Sequence, residues 1–326
     1  MGWRLGEILG AMMSESNLWH QHIGEHDNNL FLLGTIDVPM YLIKVSGGWA
    51  LLEGSVEPLA PLILQQLKHI VGDLTQVKYW FITHSHYDHI GTLELLYPLL
   101  PCVRVFASKL TQRALGHEKA NEVTRKLTRS LYKIMPQAQH ADSTLQATKV
   151  LFADIPVEIL EDGQQVDFDE SHCIVAIATP GHAKCLLSFY EPKFKRLYVS
   201  DSLGEMVSPS QWEPLIFQDY QMYIASLKRL QQLDIAQLVL GHHGVLYGDL
   251  AQQAPALAEQ GVYQFIDNAM QVFHKYDQDV AQTAQHISES SRDSTAAFVS
   301  KKLHYNGTLF MLKLTGVVPD SELALS

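Results

Sequence analysis

The sequence predicts an α+β protein: two β-sheets with helices outside them, followed by a C-terminal helical addition. Three observations carry that expectation. β-rich runs come in two series with mixed stretches between them, strand signals vanish beyond Leu250, and histidines and carboxylates gather where predicted strands end.

The elements follow in order. Residues 1–28 read as a short amphipathic or frayed leader; its HQHIGEH segment, with His20, His22 and His26, reads as a solvated tail or a loose metal binder. From Leu30 the runs LFLLG, VPMYLIKV and WALLEG read as strands, with Gly47-Gly48 where a tight hairpin belongs. PLAPLILQQLKHIVG has the apolar spacing of an amphipathic helix, on which His69 reads as a surface residue, and VKYWFITH reads as a buried strand. GTLELLYPLL suggests a helix, VRVFAS a strand, and residues 108–136 are helical in composition. VEIL, EDGQQVDF and HCIVAIAT then open a second series of strands, with a turn at Asp162-Gly163. LLSFYE and RLYVS flank a charged turn, FQDYQMYIASLKRLQQL is a helix by spacing, and AQLVLGHHG is a strand ending in two histidines. Three helical segments are expected after that. The domain reading is therefore a leader over 1–28, a main domain over 29–250 and a helical C-terminal lid over 251–326.

Composition bounds the function. Of 326 residues, 47% are apolar and 18% charged, enough to bury a sizeable core. Lys and Arg number 24 against 35 Asp and Glu, a net charge of −11 that disfavours nucleic acid as a partner. Cys102, Cys173 and Cys185 have no CxxC spacing and make no disulfide framework, which fits a reducing cytoplasm. No run approaches the roughly 18 apolar residues of a membrane helix, and Arg4 and Glu7 interrupt what would be the core of a signal peptide. The expectation is a cytoplasmic protein with no membrane partner.

The stretch THSHYDHIG places His84, His86, Asp88 and His89 directly after a predicted strand. Alternate residues His84 and His86 can aim at one point while Asp88 and His89 turn toward a second. His182 follows another strand in TPGH, Asp201 follows YVS, and His242 follows LVLG. Four strand ends delivering five histidines and two carboxylates have the layout of a two-metal site, and these ligand types suit iron, zinc or manganese.

HSHYDH fits the HxHxDH signature of the metallo-β-lactamase superfamily, and the GH at His182, the strand-end Asp201 and the GH at His242 follow in that family's order. The chain thus resembles that superfamily, which implies a four-layer αββα sandwich. It also implies one metal held by His84, His86 and His182, a second held by Asp88, His89 and His242, and Asp201 bridging them. NLFLLGTIDVPMYLIKV, ALLEG, QVKYWFITHSHYDHIG, SDSLGE and LHYNGT are similar to one subgroup, the quinolone-signal response thioesterases of Pseudomonas, from about Asn29 to near the C-terminus. That subgroup implies a di-iron centre, an aminobenzoylacetyl-coenzyme A substrate and a helical lid. It further implies Glu205 as an acidic residue beside the metals, Leu215 and Phe217 on an aromatic-acyl pocket, and His304 and Thr308 reaching down from the lid. Core packing is the alternative reading for Leu215 and Phe217, and a helix-end polar contact for His304.

The chemistry expected is attack of a metal-bridging hydroxide on an acyl carbonyl, with Asp88 orienting it and accepting a proton. Tyr87 either donates to the carbonyl or packs. A thiol leaving group, with a pKa of ~8.5, needs little acid assistance, which favours a small-molecule thioester as substrate. Two departures stand out. AKCLLSFY after His182 lacks the subgroup's further histidine, and YQFIDNAMQVFHKYDQD carries no arginine where the subgroup has a run implicated in binding a transcription regulator. The second argues against such a regulator through that face but leaves a homodimer through the tail open. The alternatives are a glutathione-thioester or acyl-homoserine lactone hydrolase, and a regulator-binding scaffold with vestigial activity.

Overall fold

The computed structural model describes residues 18–27, 29–135, 143–291 and 299–319. Sixteen strands lie among them. The first eight are β1 (Trp19–His20), β2 (Gly24–Asp27), β3 (Leu30–Leu33), β4 (Met40–Val45), β5 (Gly48–Leu52), β6 (Val77–Phe81), β7 (Arg104–Ala107) and β8 (Val157–Ile159). The second eight are β9 (Gln165–Asp169), β10 (His172–Ala178), β11 (Leu187–Glu191), β12 (Arg196–Ser200), β13 (Glu205–Ser208), β14 (Gln211–Glu213), β15 (Gln237–Leu240) and β16 (Val245–Tyr247). One seven-stranded sheet runs β2-β3-β4-β5-β6-β7-β8, the other β1-β16-β15-β12-β11-β10-β9, and β13 and β14 form a separate hairpin.

The period-2 pattern of the strands builds the layers. Leu30, Leu32, Tyr41, Ile43 and Phe81 of the first sheet meet Ile174, Phe189, Tyr198 and Val239 of the second in a central core. The alternate residues Leu33, Met40, Leu42 and Trp80 face outward onto the helix Ala60–Val71, packing with Ile63 and Leu67. Behind the second sheet, Leu197, Val199 and Leu238 pack with Tyr223 and Leu227 of the helix Tyr220–Leu230 and with Leu250 and Ala254 of the helix Gly248–Lys275. Three parallel apolar seams make four layers, αββα, as expected.

Beyond β16 come the helices Gly248–Lys275, Val280–Ser290 and Lys301–Leu314. They share their own core of Ala269, Phe273, Ile287 and Leu312. Among the described residues, no helix is long and apolar enough to cross a membrane.

Two expectations need correction. The part of the predicted leader that is described, residues 18–27, is not a frayed tail: β1 pairs antiparallel with β16 in one sheet and β2 antiparallel with β3 in the other. Both are short edge strands, which carry polar residues without cost because one side faces solvent, so they escape an apolar-pattern reading. Residues 1–17 lie outside the described residues. VEIL opens no second series either, because β8 pairs in parallel with β7 and closes the first sheet.

Candidate metal centre and pocket

Strand direction brings the site residues together. In the first sheet β5 and β6 are parallel, and in the second β12 and β15 are parallel. β10 is antiparallel to β11, which is antiparallel to β12, so β10 shares their direction. The C-terminal ends of β6, β10, β12 and β15 therefore release His84–His89, His182, Asp201 and His242 at one edge of the sandwich. Two glycines let the loops approach. Gly181, before His182, has φ +137° and an added Cβ there would lie 2.3 Å from the Tyr223 Cα. Gly241, before His242, leaves room for 2.8 Å at most between a Cβ and the Asp201 carboxylate.

The ligand atoms fall into two groups, His84 with His86, His182 and Asp201, and Asp88 with His89 and His242, each spanning no more than 4.8 Å. Asp201 sits at the centre. Its carboxylate lies 3.7 Å from His84 Nε2, 3.4 Å from His89 Nε2, 3.1 Å from His182 Nε2 and 3.4 Å from His242 Nε2. His89 Nε2 is also 3.7 Å from Asp88, and His182 Nε2 is 2.9 Å from His86 Nδ1. Most of these spacings are too long for hydrogen bonds, whereas ligands around a tetrahedral ion at 2.0–2.1 Å stand roughly 3.3 Å apart. His84 Nε2 and His89 Nε2 are buried and have no hydrogen-bond partner. Buried lone pairs converging on carboxylates at that spacing fit divalent metal ions.

The other ring nitrogens are pinned. His89 Nδ1 bonds Glu53 Oε2 at 2.8 Å, His182 Nδ1 bonds the Leu215 carbonyl at 2.7 Å, and His242 Nδ1 bonds the Asp37 carbonyl. In each case Nδ1 faces an acceptor and holds a proton, so the neutral ring offers its Nε2 lone pair inward to an ion. His84 Nδ1 is within reach of the hydroxyls of Thr83, at 3.2 Å, and Ser200, at 3.5 Å. Burial, helped by neighbouring imidazoles, pushes His84 well down and His86 down to about 4. At His89 and His242 burial acts the same way, but the Asp201 carboxylate outweighs it, with Glu53 aiding at His89; His89 rises well above its usual value and His242 rises to about 9. Asp201 is held far below the usual carboxylate range by His89 and His182 in spite of its burial. The carboxylates thus demand positive charge at the Asp88 side of the cluster, which a divalent cation supplies.

A cavity of about 610 Å3 opens over the cluster. His86, Asp88, Asp201 and His242 form its floor, and Trp212, Leu215, Phe217, Phe265 and Met311 its apolar walls. Every predicted substrate residue borders it: Tyr87, Glu205, Leu215, Phe217, His304 and Thr308. Leu215 also serves through its backbone, as noted for His182, and the Phe217 ring lies 5.2 Å from the His182 ring. Tyr87 packs partly on the outer core, and burial raises its phenol far above the usual value. From the helix Lys301–Leu314, His304 Nε2 bonds Ser291 Oγ at 2.9 Å, and the Thr308 hydroxyl donates back to the His304 carbonyl at 3.1 Å.

Three contributors escape the sequence reading. Glu53 is the lone acid of WALLEG, with no motif around it. Ser200 reads only as the end of a strand. His243, the second of the two histidines ending AQLVLGHHG, bonds Glu205 Oε1 through Nε2 at 2.9 Å and so holds the acid over the floor. Glu53→Gln keeps an acceptor for His89 but removes its charge. It should weaken metal binding at the Asp88, His89 and His242 side by roughly 10–100-fold, read as earlier loss of one of two ions in a chelator titration.

A family model described as Metallo-beta-lactamase superfamily matches residues 33–242. The chain is 31% identical over 201 residues to a metallo-beta-lactamase fold-containing protein of Sulfurisphaera tokodaii, covering 58% of this chain and 70% of that protein. A stretch of 72 residues is 42% identical to Ribonuclease J of Mycolicibacterium smegmatis, 22% of this chain but only 13% of the ribonuclease. Among solved structures, a metallo-beta-lactamase family protein from Thermus thermophilus superposes with a TM-score of 0.60 at 22% identity, over 90% of this chain and 95% of that one. At that identity the likeness is one of fold.

Proposed function

Because the chain belongs to the metallo-β-lactamase superfamily, we propose that it is a two-metal hydrolase acting on a thioester, an aromatic acyl-coenzyme A. In this reading His84, His86 and His182 would hold one ion, Asp88, His89 and His242 the other, and Asp201, which lies near all of these imidazoles but His86, would serve both. Bound there, such ions would supply Lewis acidity for the acyl carbonyl and a water of near-neutral pKa. Iron, zinc and manganese all suit the ligands, and iron is the assignment we carry forward from the subgroup resemblance.

The observation that carries the substrate reading is the cavity itself: its floor is the His/Asp cluster and its walls are apolar and partly aromatic. Its size falls in the range of small-molecule sites, roughly 300–1,000 Å3. A flat acyl group can lie between Phe217, Leu215 and Trp212 with its carbonyl over Asp88 and Asp201. Asp88 keeps part of its side chain exposed at the cavity floor, where it can orient water and take a proton. Glu205, held by His243, presents its carboxylate to polar substituents on the acyl ring. A thiolate departs without a strong acid, and no such acid is required of the chain. The biological setting we attach to this activity is alkylquinolone-type signal biosynthesis or response. The likeness to Ribonuclease J raises a nuclease reading, which the net charge of −11 disfavours.

The test is hydrolysis of aromatic and aliphatic acyl-coenzyme A thioesters, glutathione thioesters and lactones, with metal content measured on the same preparation. Two ions per chain with turnover confined to aromatic thioesters support the proposal; two ions with no turnover on any ester favour a regulator-binding scaffold instead. Within the pocket, Phe217→Ala should raise KM for aromatic acyl groups by up to about 10-fold and leave short aliphatic ones nearly unchanged. An equal effect on both, or loss of metal, would place Phe217 in support of His182 and not in acyl recognition.

A further inference from the structure

Away from the catalytic edge, His20, His22 and His26 stand together where the chain passes from one sheet to the other. His20 lies on β1 of the second sheet, His26 on β2 of the first, and His22 in the connection between them. One ring nitrogen from each lies within 4.8 Å of the others. The His22 and His26 rings stack at 4.2 Å, and the His20 ring lies 5.8 and 6.2 Å from them. We infer that these three imidazoles form a second metal site, for a divalent transition-metal ion, that staples the two sheets at the start of the described chain.

Tautomers support the assignment. His26 Nε2 bonds the His22 carbonyl at 2.8 Å, and His22 Nε2 bonds the Glu25 carbonyl at 2.8 Å. A carbonyl only accepts, so each Nε2 carries the proton and each Nδ1 is left as a lone pair, the form a metal ion needs. His26 Nδ1 is buried and has no hydrogen-bond partner, an arrangement costly for a nitrogen with no ligand to meet. His22 is exposed and gives an ion a way in. Bringing nitrogens that lie no more than 4.8 Å apart to the roughly 3.3 Å of a tetrahedral ion takes shifts of at most about 1.5 Å, shared among the rings and easiest for the exposed His22. Three imidazoles with water in the fourth position suit zinc, cobalt, nickel or copper, and no carboxylate is needed.

Such an ion has a clear mechanical task. Trp19 Nε1 donates to the His243 carbonyl at 2.7 Å, and Gly244 lies so close to His20 that an added Cβ would meet the His20 carbonyl at 2.1 Å. The segment held by the staple therefore props the loop that carries His242 and His243. The ion acts as a positioning element, outside the reaction.

The full-length protein, stripped of metal and then dialysed against zinc alone, tests this. The expected wild-type content is three zinc ions per chain, falling to two in His22→Asn and in His26→Gln. Cobalt substitution adds a spectroscopic readout, since the band lost in either variant belongs to the third site. Because His22 is exposed, its substitution does not threaten folding. In Asp201→Ala the same band should persist, which separates failure of this site from failure of the two-metal reading. Equal zinc content and equal cobalt spectra in wild type, His22→Asn and His26→Gln would overturn the proposal.

Discussion

Asp201→Ala is expected to leave a folded protein that retains neither of the two ions proposed for the His/Asp cluster after dialysis and hydrolyses no ester above background. Asp201 lies within 3.1 to 3.7 Å of four imidazoles drawn from three other strand ends, so its loss uncouples both halves of the centre at once. The loss in affinity should exceed the roughly 10–100-fold typical of removing an outer partner of a ligand, because here a proposed ligand itself is gone. Folding should survive. Asp201 sits on a turn after β12, and its removal also relieves a buried negative charge that only the imidazoles balance. Asp201→Asn is the sharper form, since it keeps the shape and removes the charge. Retention of two ions and full activity in either variant would sink the site assignment, and with it the two-metal mechanism.

How much of this could be read beforehand follows from what a local pattern encodes. HSHYDH, TPGH, YVSD and LVLGH each combine a strand with a ligand type at its end, so parallel strand direction alone delivers them to one edge. The layers were legible for the same reason, because Leu30, Leu32, Tyr41 and Ile43 alternate with Leu33, Met40 and Leu42 in period 2. Three kinds of information were not local. The sheet that takes β8 depends on pairing with β7, far back in the chain. The hairpin of β13 and β14 is only three or four residues per strand and lies against the helix Gly248–Lys275, where an added Cβ on Gly261 would meet the Trp212 carbonyl at 2.5 Å. Glu53 gains its role only because Gly54 packs so tightly on His89 that an added Cβ would meet the His89 carbonyl at 2.3 Å. A single acid in WALLEG carries none of that.

The same limitation hides the residue whose loss should cost most in stability. Arg196 stands in RLYVS like a strand residue at a charged turn, yet it is fully buried. Its guanidinium bonds Glu191 at 3.0 Å, Asp27 at 2.8 Å, Asn29 at 2.9 Å and Gln237 at 2.6 Å. Glu191, equally buried, also accepts from Tyr198 at 3.0 Å and pairs with His172 at 2.6 Å. Asp27 belongs to the first sheet and Arg196 to the second, so this network spans the seam between them. Arg196→Met keeps most of the volume but leaves Glu191 without its main counter-charge in a dry interior. Breaking one partner of a buried pair costs about 3–5 kcal/mol, and a fall in Tm of roughly 4–7 °C is expected for a chain of 326 residues. The double variant Arg196→Met with Glu191→Gln removes both charges and should recover more than half of that loss, because the penalty lies in the orphaned carboxylate. Thermal or denaturant unfolding of the metal-loaded proteins reads both effects. A single variant within about 1 kcal/mol of wild type would mean that Tyr198 and His172 suffice for Glu191, and that the sheets are held at this seam by apolar packing alone.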